Sequence, residues 1–94
     1  MPKTKAVVVG DSEKLVNMPN ISTVLSGVLK DAGITSPAEL RALGSKEVFL
    51  QIKMRDNTAC FCKLCALEGA IRGIRWHNLD DSVKNDLKIF FDKL

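Results

Sequence analysis

Three thiols cluster at Cys60, Cys62 and Cys65, and thiolates at such short spacing can bind zinc or exchange disulfides. Geometry argues against the metal. On one helix Cys62 and Cys65 lie about 60° apart, while Cys60 points some 140° to 160° from both. A tetrahedral site also needs a fourth ligand, and the one histidine, His77, is distant in sequence. The thiols are therefore expected to be buried structural cysteines, with redox chemistry as the functional alternative and neither metal nor cofactor bound. His77 has no serine or cysteine arrangement to serve as a base, so it reads as a turn or capping residue. Trp76 follows an apolar segment and is expected to close the core; stacking on a nucleobase is the functional alternative. Glu68 and Arg72 stand at i, i+4 in the favoured order, which predicts an ion pair around a partly buried carboxylate. None of these groups forms a catalytic constellation, and no enzymatic activity is expected.

Charge gives a second set of candidates. Between positions 53 and 75, Lys53, Arg55, Lys63, Arg72 and Arg75 face only Asp56 and Glu68, a local excess of three positive charges. Such a stretch is either a solvated face or a patch for phosphate or an acidic partner. The whole chain carries +3 with a pI of about 8.9, which permits nucleic acid without requiring it.

These residues need a scaffold, and 94 residues at 46% hydrophobic content supply one core. No apolar run approaches the roughly 20 residues of a spanning helix, and the run from Ala6 to Val9 is short for a signal peptide. With an odd number of clustered thiols, the expected setting is the cytoplasm, without membrane contact. Residues 1–14, with Val7-Val8-Val9 ended by Gly10-Asp11, are expected to be an extended or mobile segment. Residues 15–94 read as an all-α domain of five or six short helices. A short turn precedes Met18-Pro19; Asn20 or Ser22 then caps a helix bearing the stripe Val24, Leu25, Val28 and Leu29, which stops at Gly33. Ser36-Pro37-Ala38-Glu39 has the pattern of a capping box and starts a helix that runs to Gly44. Ser45 is expected to cap a third, with Val48, Phe49, Ile52 and Met54 inward. Asp56-Asn57-Thr58 reads as a turn.

The segment from residue 59 to about 73 has two apolar faces. Cys60, Phe61, Leu64, Leu67 and Ile71 share one; Cys62, Ala66, Gly69 and Gly73 line the other, where small residues allow a close helix crossing. After His77-Asn78 a last helix from about Asp81 turns Val83, Leu87, Phe90, Phe91 and Leu94 inward.

The strings Met18-Pro19-Asn20-Ile21-Ser22, Ala32-Gly33-Ile34-Thr35-Ser36 and Glu39-Leu40-Arg41-Ala42-Leu43-Gly44 resemble the helix-hairpin-helix opening of the TfoX/Sxy C-terminal domain. The string Ala66-Leu67-Glu68-Gly69-Ala70-Ile71-Arg72-Gly73-Ile74-Arg75-Trp76 is similar to that family's central-helix pattern. The resemblance spans residues 15 to 94. It implies a helical fold related to helix-hairpin-helix (SAM-like) domains and a part in bacterial transcription or competence control, without catalysis. The implied partner is DNA or another regulatory protein; because no helix carries the cluster of Arg, Asn or Gln that reads base edges, DNA binding is expected to be weak and without sequence preference, and a homodimer is a further expectation. Candidate contact residues are Asn20, Ser22, Thr23, Lys30, Arg41, Arg72 and Arg75. DNA-binding hairpins usually carry glycines on either side of the apolar residue; Asn20 and Ser22 flank Ile21 here, which weakens the expected phosphate site.

Overall fold

The computed structural model describes residues 14–94, so nearly all of the segment expected to be extended lies outside the described residues. The rest is all-helical. A 3₁₀ turn, Leu15–Asn17, leads to α1 (Thr23–Asp31), α2 (Pro37–Leu43), α3 (Ser45–Arg55), α4 (Phe61–Arg72), a second 3₁₀ turn (Trp76–Asn78) and α5 (Asp81–Asp92).

The caps explain most boundaries. Ser22 Oγ accepts from Leu25 N–H at 3.1 Å and opens α1. Ser36 Oγ does the same for Glu39 N–H at 3.2 Å, with Pro37 in the first helical turn. Glu39 reaches back one residue further than a capping box would place it, accepting from the N–H and hydroxyl of Thr35 at 2.9 and 2.8 Å. Those bonds hold its carboxyl below the ordinary range. Asp56 closes the next turn through Thr58 N–H at 3.0 Å.

Helix α4 is the hub: it packs against α2, α3, α5 and the Trp76–Asn78 turn. Its Leu64, Cys65, Ala66, Leu67, Gly69 and Ala70 are all buried. Around them Leu25, Leu29, Ile34, Leu40, Val48, Phe49, Ile52 and Leu87 complete the core. Burying a Leu, Val or Phe side chain contributes roughly 1.5 to 3 kcal/mol. Helix α5 docks through tilted aromatic contacts, Phe91 lying 5.9 Å from Phe49 and 5.6 Å from Phe61 between ring centroids.

Several expected inward residues face solvent. Val24 is 77% and Met54 86% exposed, because α1 and α3 each meet their neighbours along a narrower stripe than the periodicity suggests. Leu94 is 48% exposed, lying past the end of α5. Ser45 is the first residue of α3 and does not cap it; Gly44 takes the cap position.

Candidate functional site

Ser45 is buried because its hydroxyl has a longer-range task. It donates to Glu68 Oε1 at 2.5 Å, across from α3 to α4. Arg72 Nε meets the other carboxylate oxygen at 2.5 Å, so the expected ion pair is present. Burial pushes the Glu68 carboxyl up, but the hydrogen bonds from Ser45 and Arg72 and the charges of Arg72 and Lys46 outweigh it, leaving the group below its usual value. Beside this triad, an open cleft of about 550 Å³ is lined by Leu43, Lys46, Asp86 and Leu87 among others. Lys46 and Asp86 pair at 2.7 Å near its rim.

A second polar cluster forms around Asn20 against the same helix, beside Ala66 and Gly69. Asn20 has φ of 69°, the only non-glycine residue of the described chain with positive φ. Asparagine tolerates this left-handed conformation better than most residues. It therefore supplies a backbone shape more commonly given by glycine. Its side chain then spans 54 positions: Nδ2 donates to the Ile74 carbonyl at 2.9 Å and Oδ1 accepts from Trp76 N–H at 3.1 Å. A longer contact of 3.4 Å reaches the Ala66 carbonyl. One amide thus clamps residues 18–22 to the return loop after α4, with Arg75 between the two clamped positions.

Gly69 makes room for the clamp. A Cβ there would lie 2.6 Å from Asn20 Nδ2, 2.8 Å from the Ile74 carbonyl oxygen and 3.1 Å from Trp76 Cα. The close approach expected at the small-residue stripe is real, but it comes from the Asn20 side chain and the return loop, where a crossing helix was expected. Gly73 belongs to a different feature, the left-handed cap of α4 with φ of 77°. That cap reverses the chain between Arg72 and Arg75.

The candidate contact residues consequently divide. The clamp brings Asn20 to the backbone flanking Arg75, and Ser22 and Thr23 follow Asn20 closely in the chain. Arg41 lines a small groove of about 190 Å³ near them, with Lys14, Pro19 and Gly73 among the other walls. Arg72 turns to Glu68 and the larger cleft. Lys30 sits in the last turn of α1, about 10 Å along the axis from Thr23. Asn20 and Ser22 use their side chains in intramolecular hydrogen bonds. The first N–H groups of a helix have no intrahelical acceptor, and Ser22 satisfies that of Leu25.

Cys60 and Cys62 are exposed, against the expectation of burial, and only Cys65 is inside. Cys60 is the cap residue before α4, so it lies off the helix wheel used to place it, and Cys62 falls on the solvent side of the first turn. Burial raises the Cys65 thiol pKa, and the neighbouring Cys62 and Cys60 add to the rise while Lys84 opposes it. Among the described residues no group of three metal-ligating side chains could hold an ion. Trp76 is half-buried against the core, as expected, and stacks on His77 with ring centroids 4.1 Å apart and planes at 28°.

Comparison with known proteins fits this architecture. Residues 11–91 match the model of the TfoX C-terminal domain. The chain is 33% identical over 82 residues to Protein Sxy of Escherichia coli strain K12, covering 87% of this chain but 39% of that protein. Crystal structures of an uncharacterized protein from Listeria monocytogenes, in triclinic and tetragonal forms, superpose with TM-scores of 0.84 and 0.83 at 49% identity. They cover 85% and 84% of this chain, and 91% and 98% of theirs.

Proposed function

The chain belongs to the TfoX C-terminal domain family, and from that premise we propose that it is a non-enzymatic, cytoplasmic regulatory domain, linked to transcription or competence, that touches DNA through its hairpin. Residues 18–22 and the start of α1 are that hairpin. The observation that carries the reading is the Asn20 clamp. It keeps the left-handed turn without a glycine and ties the backbone on either side of Arg75 to Asn20, three residues before the start of α1 at Thr23. A helix N-terminus with a neighbouring cation suits a phosphate.

Binding of this kind is backbone-directed. No helix presents the cluster of Arg, Asn or Gln that reads base edges, so duplexes of unrelated sequence should bind alike, no tighter than about micromolar at physiological salt. About three phosphate contacts give a slope of log K against log salt near −3. Titration of several random duplexes at low and moderate salt tests this. Arg75→Glu and Ser22→Glu should weaken every complex, and Arg72→Glu less, because Arg72 is held by Glu68. Tight binding to one sequence that survives moderate salt would overturn the reading.

One observation favours a protein partner instead. Val24 is 77% and Ile74 37% exposed, apolar surface on the two segments that the clamp joins. A domain that binds no duplex even at low salt would turn the proposal to this second reading, with another regulatory protein or a second copy as the partner.

A further inference from the structure

Building on the hairpin reading above, we propose that the Trp76–His77 ring pair is a platform on which one unpaired nucleobase stacks, so that the preferred DNA is single-stranded or carries an extruded base. The pair is held from both sides. Trp76 packs its ring against the core, donates its N–H to Asn20 Oδ1 at 3.1 Å, and has its Cα against Gly69. The His77 carbonyl accepts from Lys84 Nζ at 3.2 Å. The inner ring is therefore part of the wall, while His77 is exposed and offers the stack a face in water. Such a preorganised surface loses little freedom when a planar group adds to it.

The surroundings select the ligand. Arg75 precedes the pair and sits at the clamped hairpin, whereas Asp80 and Asp81 follow it, so a nucleotide's phosphate belongs on the Arg75 flank and its base over His77. Every base has a π-face, so the platform adds affinity without reading sequence, in keeping with the lack of base-reading side chains. A base inside a perfect duplex is already stacked on its neighbours. Only an unpaired or extruded one gains from the platform.

The test compares a single-stranded oligothymidylate, a perfect duplex, and the same duplex with one unpaired thymine. Anisotropy of the labelled DNA gives affinities. The chain has one tryptophan and no tyrosine, so its emission reports on Trp76 itself. The parent should bind the two unpaired DNAs about 5- to 30-fold more tightly than the perfect duplex, with quenched emission. His77→Ala should abolish that preference while leaving the perfect-duplex affinity and the melting curve unchanged, and His77→Phe should restore it. A parent that binds all three DNAs equally, or a preference that survives His77→Ala, would sink the platform and leave the hairpin reading standing. A parent that binds none of them would remove the hairpin reading, and the platform with it.

Discussion

The two ends of α4 are held by different physics. At its N-terminal end, Phe61 and Phe91 share an edge contact with Lys53 and Lys88 over the rings at 5.5 to 5.7 Å, and the thiols of Cys60 and Cys62 face solvent. At its C-terminal end, Gly69 admits a neutral amide that ties two backbone segments together at 2.9 and 3.1 Å. The first arrangement is adjustable: long cationic side chains can shift over a ring at little cost. The second has little slack, because the amide is held by three carbonyl and N–H partners on two backbone segments and a Cβ at Gly69 would collide with it.

That contrast can be broken most severely at Gly69. Gly69→Leu should cost about 2 to 4 kcal/mol in chemical denaturation, since the Ile74 backbone must move and the clamp must open. A neutral outcome would mean that the C-terminal end is as adjustable as the other. Next comes Asn20→Ala, expected to cost about 2 to 3 kcal/mol from the lost hydrogen bonds plus the left-handed strain of a Cβ residue. Asn20→Gly keeps the conformation and loses only the amide, so it should cost about 1 to 2 kcal/mol. Equal losses in the two variants would assign the whole effect to hydrogen bonding.

Glu68 sharpens the comparison by pH. Its folded-state pKa lies below the ordinary 4.5, so the stability it contributes is fully present above that value and is lost as pH falls through the lower folded value. The carboxylate sits between the two ends and is only partly screened. Its removal in Glu68→Gln should cost about 1 kcal/mol at neutral pH. The variant's melting temperature should also fall less between pH 6 and pH 3 than the parent's. An unchanged acid profile would show that the triad contributes nothing to the linkage.

The smallest effects belong to the adjustable end. Cys60→Ser and Cys62→Ser should each change stability by less than about 0.5 kcal/mol, and a thiol reagent should label two cysteines in the folded protein and the third only on unfolding. Protection of either exposed thiol in the folded protein would mean this end is more tightly packed than its contacts indicate.

Much of this fold was readable from local chemistry. Ser22, Ser36-Pro37, Gly33 and Gly44 mark helix ends through interactions that reach only three or four residues, and sequence carries those directly, whereas Gly73 was read as part of a packing stripe and is the left-handed cap of α4. The Glu68–Arg72 pair was legible for the same reason. Ser45 was misread because a buried donor one position past a glycine can either cap its own helix or satisfy a distant carboxylate, and the second choice depends on α4. Val24 and Met54 were misplaced because a periodic stripe says which face turns inward, not how wide the neighbouring surface is. At the candidate site, Asn20 was read as a possible helix cap and as a residue that weakens the hairpin, and its left-handed backbone was not foreseen. Its partners at Ile74 and Trp76 left no trace in sequence, and neither did the grouping of Arg75 with the hairpin that follows from them.

The span of the clamp also bears on how the domain assembles. Closing a chain segment of 54 residues by a single amide involves a loop-closure entropy of roughly 3 to 4 kcal/mol, too much for that contact to form ahead of the helices it joins. The hairpin and return loop should therefore come together late, after α4 has condensed with α3 and α5. Substitutions of Asn20 would then act mainly on the unfolding limb of a chevron plot, hastening escape from the native state while leaving the rate of its formation nearly untouched.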